Sequence, residues 1–219
     1  MAQGYVKAAD LPQVIPVFPL AGAILLPRGQ LPLNIFEPRY LNMIDDAMGA
    51  DRLIGMVQPS GGAPSLPALS PVGCVGRITS FAETSDGRYL ITLTGVSRWR
   101  LTSELPVQTP YRQIRADFTP YEADLTPDDG AEDVDDRAAL LDSLHRWLER
   151  RGMDVDWDAA RDAPAEALVN SLAMALPFEV AEKQALLEAR TVADRLTALT
   201  AILSIDAADP DDDAQTTRQ

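Results

Sequence analysis

The spacing of the apolar residues changes once along the chain, and that change limits the fold more than any other feature. Between residues 12 and about 119 they come in short runs cut by proline and glycine: Val14–Phe18, Leu33–Phe36, Leu53–Val57, Val72–Phe81, Tyr89–Thr94, Ser97–Glu104 and Tyr111–Phe118. Runs this short with such punctuation predict strands. From about residue 131 the spacing becomes helical. Val134, Ala138, Leu141, Leu144 and Leu148 step by three or four along one helix face. Leu186, Ala189, Ala193, Leu196, Leu199 and Leu203 do the same on another. The expected fold is α+β: a β-rich subdomain over 12–119, an acidic junction over 120–136, a helical subdomain over 131–205 and a disordered acidic tail over 206–219.

Local signals refine this outline. In SFAETSDGRYLITL, Asp86-Gly87 supplies a positive-φ turn between two strand patterns. The mixed second face of Tyr89–Thr94 suggests a strand buried on both sides. Gly95 is expected to break the chain before Val96. Residues 58–71, QPSGGAPSLPALSP, read as a long surface loop. In the helical half, Asp133, Asp135 and Asp136 precede the first helix, Arg146, Arg150 and Arg151 close it, and Gly152 stops it. A second helix is expected over 163–175 with Pro164 in its first turn, and a third, uninterrupted, over 179–204.

The stretch LPLNIFEPRYLNMIDDAMG joins a strand to a helix. Pro38 suits the first helical position, where its missing N–H is not needed, and it holds Glu37 extended. Tyr40, Leu41, Ile44, Ala47 and Met48 then form an apolar stripe, with Asp45 and Asp46 facing away and Gly49 at the end. Glu37 and Arg39 are expected in structural ion pairs, with Arg77 or Arg98 of the neighbouring hairpin as partners.

Charge and chemistry narrow the function. The net charge of -14 opposes nucleic-acid binding unless Arg77, Arg88, Arg98, Arg100, Arg112 and Arg115 cluster. The single cysteine, Cys74, allows no internal disulfide, no basic leader precedes an apolar core, and no run approaches the length of a membrane helix. A soluble, cytoplasmic protein is expected, without membrane or nucleic-acid partners. No G-x-x-x-x-G-K-[ST] occurs. Lys183 reads as solvent-facing. His145 with Cys74 and Asp142 makes a poor nucleophilic set, because Cys74 sits in a strand pattern. One histidine and one cysteine are too few for a zinc site, and Asp209, Asp211, Asp212 and Asp213 lack calcium-loop spacing. No metal or cofactor is expected. Trp99 reads as core, Trp147 as able to face the barrel, and Trp157 as partly exposed.

Five segments in order carry a resemblance: Pro16–Leu20, Leu31–Tyr40, Gly73–Phe81, Asp86–Leu101 and Pro110–Phe118, with Leu176–Leu203 fitting as well. Together they resemble the N-terminal, substrate-recognition domain of Lon proteases in its stand-alone bacterial form, over residues 12–205. The resemblance implies a PUA-like pseudo-barrel with an inserted helix, followed by a helical bundle. It also implies a non-enzymatic module that binds apolar or unfolded polypeptide segments. Exposed apolar surface is what such a site requires. Leu66, Pro67 and Leu69 of the loop, with Met43 and Met48 of the helix, are the candidate contacts; Ile24–Leu26 read as core. The alternative is an adaptor that docks on a folded protease or ATPase through its acidic surface or tail.

Overall fold

The computed structural model describes residues 4–63, 66–126 and 136–208. They fall into two compact units, one within residues 1–128 and 174–188, the other within residues 129–173 and 189–219.

The first unit is a barrel. Its strands are β1 Val14–Pro19, β2 Gln30–Ile35, β3 Leu53–Val57, β4 Pro59–Ala63, β5 Leu66–Leu69, β6 Val72–Glu83, β7 Tyr89–Glu104 and β8 Arg112–Asp117. The main sheet runs β2-β7-β6-β3-β1-β8, and β8 also pairs with β7. Five strands therefore close a ring, and β2 lies along the outer half of β7. The 16 residues of β7 make this possible. Its first half pairs with β2 from Ile35↔Tyr89 to Gln30↔Thr94, and its second half with β8 from Arg100↔Asp117 to Glu104↔Ile114. Among the described strands, only β1 and β3 run parallel. The crossover that parallel neighbours require contains β2 and helix α1, Pro38–Met48.

Gly95 does not break the strand. A Cβ there would run into the Leu26 carbonyl, while Gly95 N donates to Gly29 O at 2.8 Å and Arg28 N to Gly95 O at 2.9 Å. The glycine lets a second backbone cross at close range. Tyr89–Thr94 is buried on one side only: Ile91 and Leu93 are buried and Leu90 is exposed. Full burial begins after Gly95, over Val96–Trp99. The stretch 58–71 is not a plain loop, because β4 and β5 pair as a hairpin. Its two glycines and four prolines conceal the strand signal. The Asp86-Gly87 turn forms as expected, with Gly87 at φ +78°.

The barrel core contains Ile15, Val17, Val57, Val75, Trp99 and Ile114. Trp99 has no exposed surface, and its Nε1–H has no hydrogen-bond partner among the described residues. Arg98, beside it, is also buried. Its Nε and Nη2 donate to the two Asp124 oxygens at 2.9 and 2.8 Å, and its main-chain N adds a third bond at 2.9 Å. Nη1 reaches the Leu187 carbonyl at 3.3 Å, and the guanidinium lies 4.7 Å from the Tyr121 ring centre. The sequence expectation paired Arg98 with Glu37; the structure pairs it with Asp124. Asp124 sits in a short 3-10 helix, Thr119–Leu125, at the start of what reads as an acidic junction. Residues 127–135 lie outside the described residues.

Helix α5, Val180–Glu188, belongs to this unit. Gln58 holds it, donating to Val180 O and Gln184 Oε1 at 3.0 and 3.1 Å. Lys183 does not face solvent as expected. It is 4% exposed, and its ammonium donates to Met174 O at 2.8 Å. Burial lowers its pKa.

The second unit contains helices α2 Arg137–Arg151, α3 Trp157–Asp162, α6 Val192–Ala208 and all but the last two residues of α4 Ala165–Ala175, Met174 and Ala175 belonging to the first. The buried face of α2 is Leu140, Leu144, Trp147 and Leu148 rather than Ala138 and Leu141. Trp147 sets that rotation: its indole N–H donates to Asp206 on α6 at 2.6 Å, and Arg151 covers its ring at 4.1 Å. Gly152 closes α2 in the left-handed conformation, φ +61°. Val134, Asp133 and Asp135 lie outside the described residues.

Helix α3 was not expected; Asp156 caps it by accepting from Ala159 N at 2.9 Å. Pro164 stands just before α4 rather than inside it. The helix expected over 179–204 is interrupted between Glu188 and Val192. Thr191 and Asp194 are the cause. Each side chain accepts the other's main-chain N–H, at 3.0 and 3.1 Å, which starts a new helix. Asp206–Ala208 continue α6, and 209–219, with the four tail aspartates, lie outside the described residues.

Candidate functional site

The joint at FEPRY builds one wall of a cleft. Glu37 is extended, φ -74° and ψ 130°, and Pro38 opens α1, which places Arg39 and Tyr40 in the first turn. The Glu37 side chain makes no cap bond. Tyr40 packs its ring 4.2 Å from that of Phe18 on β1. The Arg39 guanidinium lies 4.5 Å from the centre of the Tyr40 ring, and its Nε and Nη2 donate to Glu37 Oε2 at 3.0 and 2.8 Å.

A second proline-led triplet, Pro110-Tyr111-Arg112, builds the opposite wall. Tyr111 donates its hydroxyl to Asp46 of α1 at 2.6 Å. Arg112 uses its whole fork. Nε and Nη2 donate to the two Glu104 oxygens at 2.6 Å each, and Nη1 to the Pro67 carbonyl at 2.8 Å. That last bond fixes the β4–β5 hairpin beside the start of β8. Leu66 and Pro67 from the hairpin and Pro19 from β1 complete a cleft of about 300 Å³. Leu66 stays 63% exposed.

The charged side chains of the cleft lining are cations. Its lining includes two arginines and no carboxylate. Burial, helped by Glu37, raises the Tyr40 pKa against the pull of Arg39 and Arg112. Burial and Asp46 together push Tyr111 up to about 12. The Arg112 fork holds the Glu104 carboxyl below its ordinary value. Tyr40 is 6% exposed, yet its hydroxyl has no hydrogen-bond partner among the described residues. The hydroxyl is not one of the buried unpartnered polar atoms; it opens to solvent at the cleft.

The structure thus brings Leu66, Pro67 and Arg39 together and leaves the other candidates elsewhere. Met43 has no exposed surface, and Leu69 belongs to the barrel core. Met48 is half-buried and does not line the cleft. Glu37 stands beside the cleft and pairs with Arg39, neither Arg77 nor Arg98. Pro19, Pro110, Tyr111 and Arg112 are further lining residues that sequence reasoning did not single out. The available signal was the near-repeat of Pro-Arg-Tyr and Pro-Tyr-Arg.

Alternative chemistries find little support. Cys74 is fully buried. Of the six arginines weighed for nucleic acid, Arg98 pairs with Asp124 and Arg112 with Glu104, and the exposed Arg88 and Arg115 reach Asp86 and Gln13. Among the described residues, no group of three or more His, Cys, Asp or Glu is placed to hold a metal ion. No helix among them is long and apolar enough to cross a membrane.

A closed β-barrel with this cleft on it and a unit of helices make up the fold. The chain belongs to the family of the substrate-binding domain of the ATP-dependent protease La (LON), whose model matches residues 14–204. It is 26% identical over 209 residues to a Lon protease of Syntrophus aciditrophicus, covering 90% of this chain and 26% of that one. It is 31% identical over 117 residues to Lon protease 2 of Myxococcus xanthus, covering 52% and 14%. The chain thus spans about a quarter or less of these relatives' length. In fold it is similar to a Lon N-terminal domain protein from Xanthomonas campestris, with a TM-score of 0.61, 23% identity and coverage of 86% of this chain and 97% of the other. The N-terminal domain of a Mycobacterium avium complex Lon protease gives a TM-score of 0.61 at 18% identity, covering 87% and 98%.

Proposed function

We propose that the chain is a non-enzymatic module that holds apolar or unfolded polypeptide segments, and that the cleft between the α1 joint and the β4–β5 hairpin is the contact site. The observation that carries this reading is Leu66. It stays 63% exposed at the edge of a cleft walled by prolines and tyrosines. An apolar side chain left in water beside an apolar cleft gains by covering both with a ligand, at roughly 25 cal/mol per Å² removed from water. The rigid prolines limit the entropy lost on binding.

Fluorescence anisotropy of a labelled, permanently unfolded protein tests the reading. Saturable binding that survives high salt and weakens at least fivefold in Leu66→Ser is the expected result. Absence of binding, or binding indifferent to Leu66→Ser, sinks it. Leu66 is exposed, so the substitution leaves the barrel intact.

A further inference from the structure

The two arginines of the cleft differ in their freedom. Arg112 is committed on every side, to Glu104 and to Pro67, and its side chain is 18% exposed. It shapes the wall. Arg39 is paired only with Glu37, two residues away, and both side chains stand in water at 52% and 43% exposure. Exposed pairs of this kind are worth little, so a competing carboxylate can take the Arg39 fork at small cost. Beside it, the Tyr40 hydroxyl is an open donor on a side chain more than nine-tenths buried.

We propose that the cleft captures the C-terminus of a polypeptide: the free α-carboxylate accepts from Tyr40 Oη and Arg39, and an apolar last side chain fills the space between Pro19, Pro67 and Leu66. This deepens the polypeptide-binding reading and rests on it. Donors select the ligand. The lining holds two arginines and no carboxylate. Both are already paired, Arg112 with Glu104 and Arg39 with Glu37, so an anion binds here by exchange onto the exposed Arg39 fork beside the Tyr40 hydroxyl. Size selects the position. A cleft of about 300 Å³ holds roughly one residue. Only a terminal residue offers an apolar side chain and a carboxylate together. An internal aspartate or glutamate spends its own side chain on the charge and leaves the proline walls uncovered. Capture of a C-terminal carboxylate by clustered donors is a recurring mode of peptide recognition.

The test uses the full chain and three fluorescein-labelled ten-residue peptides. One ends in leucine with a free carboxylate, one is its C-terminal amide, and one is the amide with an internal glutamate. The free acid is expected to bind at least tenfold more tightly than either amide. Tyr40→Phe and Arg39→Gln should each reduce that ratio at least threefold with unchanged thermal melts. Both variants fold: the Tyr40 hydroxyl has no partner to lose among the described residues, and Arg39 is exposed. Equal, Leu66-dependent binding of acid and amide overturns the carboxylate inference and leaves the polypeptide site standing. Equal binding of the internal-glutamate peptide and the acid overturns it as well. Failure of all three to bind overturns both readings.

Discussion

Arg98 with Asp124 and Arg39 with Glu37 are both arginine–carboxylate pairs, and they do opposite work. The first is 6% and 7% exposed, the second 52% and 43%. In the first, each guanidinium nitrogen has an acceptor, and Asp124 also caps a strand N–H. In the second, one oxygen of Glu37 takes both bonds. The difference teaches that an ion pair's role follows from its surroundings. Buried, it joins β7, the Thr119–Leu125 turn and α5 into one body; exposed, it leaves a cation available beside an open cleft.

The largest effect is expected from breaking the buried pair on one side. Asp124→Ala strands a guanidinium in the core and should cost about 3–5 kcal/mol in urea unfolding. The double substitution Arg98→Met with Asp124→Leu should recover most of that loss, because no charge is left unpaired. A single-site loss below about 1 kcal/mol would erase the distinction between the two pairs.

Arg112 is intermediate, and so is its expected effect. Arg112→Ala removes the charged bonds to Glu104 and the bond to Pro67. About 1–2 kcal/mol should be lost, with faster amide exchange in the β4–β5 hairpin. Its carboxylate partner supplies a pH test. Glu104 titrates below its ordinary 4.5 because of Arg112, so it adds stability above that pH and loses it as the pH falls through the lowered value. The stability gap between the protein and Glu104→Gln should stay level above about pH 5 and close below it. A gap that persists at pH 2.5 would detach Glu104 from Arg112.

Local chemistry was the legible part of the sequence. The strand runs, the Asp86-Gly87 turn, the Pro38 helix start and the Gly152 stop are written in neighbouring residues. What depends on distant partners was not. Asp124 reads as one more acid in an acidic stretch until Arg98, 26 residues away, is folded against it. Lys183 looks exposed because its acceptor, the Met174 carbonyl, is a backbone atom with no side-chain signature. Gly95 reads as a break because the crossing Leu26 backbone leaves no trace in the sequence around the glycine. Of the cleft, Leu66 and Pro67 follow from an apolar loop tip and Arg39 from its joint. The opposite wall, 71–73 residues beyond Arg39, needs the β8 register. One miss was local: Thr191-x-x-Asp194 is a capping signal, outweighed by the apolar period running through it. Thr191→Ala should cost about 1 kcal/mol, read by urea unfolding.

The smallest stability effect is expected at the exposed pair, and it is the sharpest test of the comparison. Arg39→Gln removes a bond to Glu37 that water replaces on both sides, so unfolding should shift by less than about 0.5 kcal/mol. Glu37→Gln should be as quiet in unfolding, and it should improve capture of a carboxylate by removing the internal competitor for Arg39. The two variants then part in binding although they agree in stability: Arg39→Gln weakens the free-acid peptide and Glu37→Gln strengthens it. If Arg39→Gln instead cost more than about 1 kcal/mol, the exposed pair would be a second structural tie. The cation beside Tyr40 would then be no freer than the one beside Trp99.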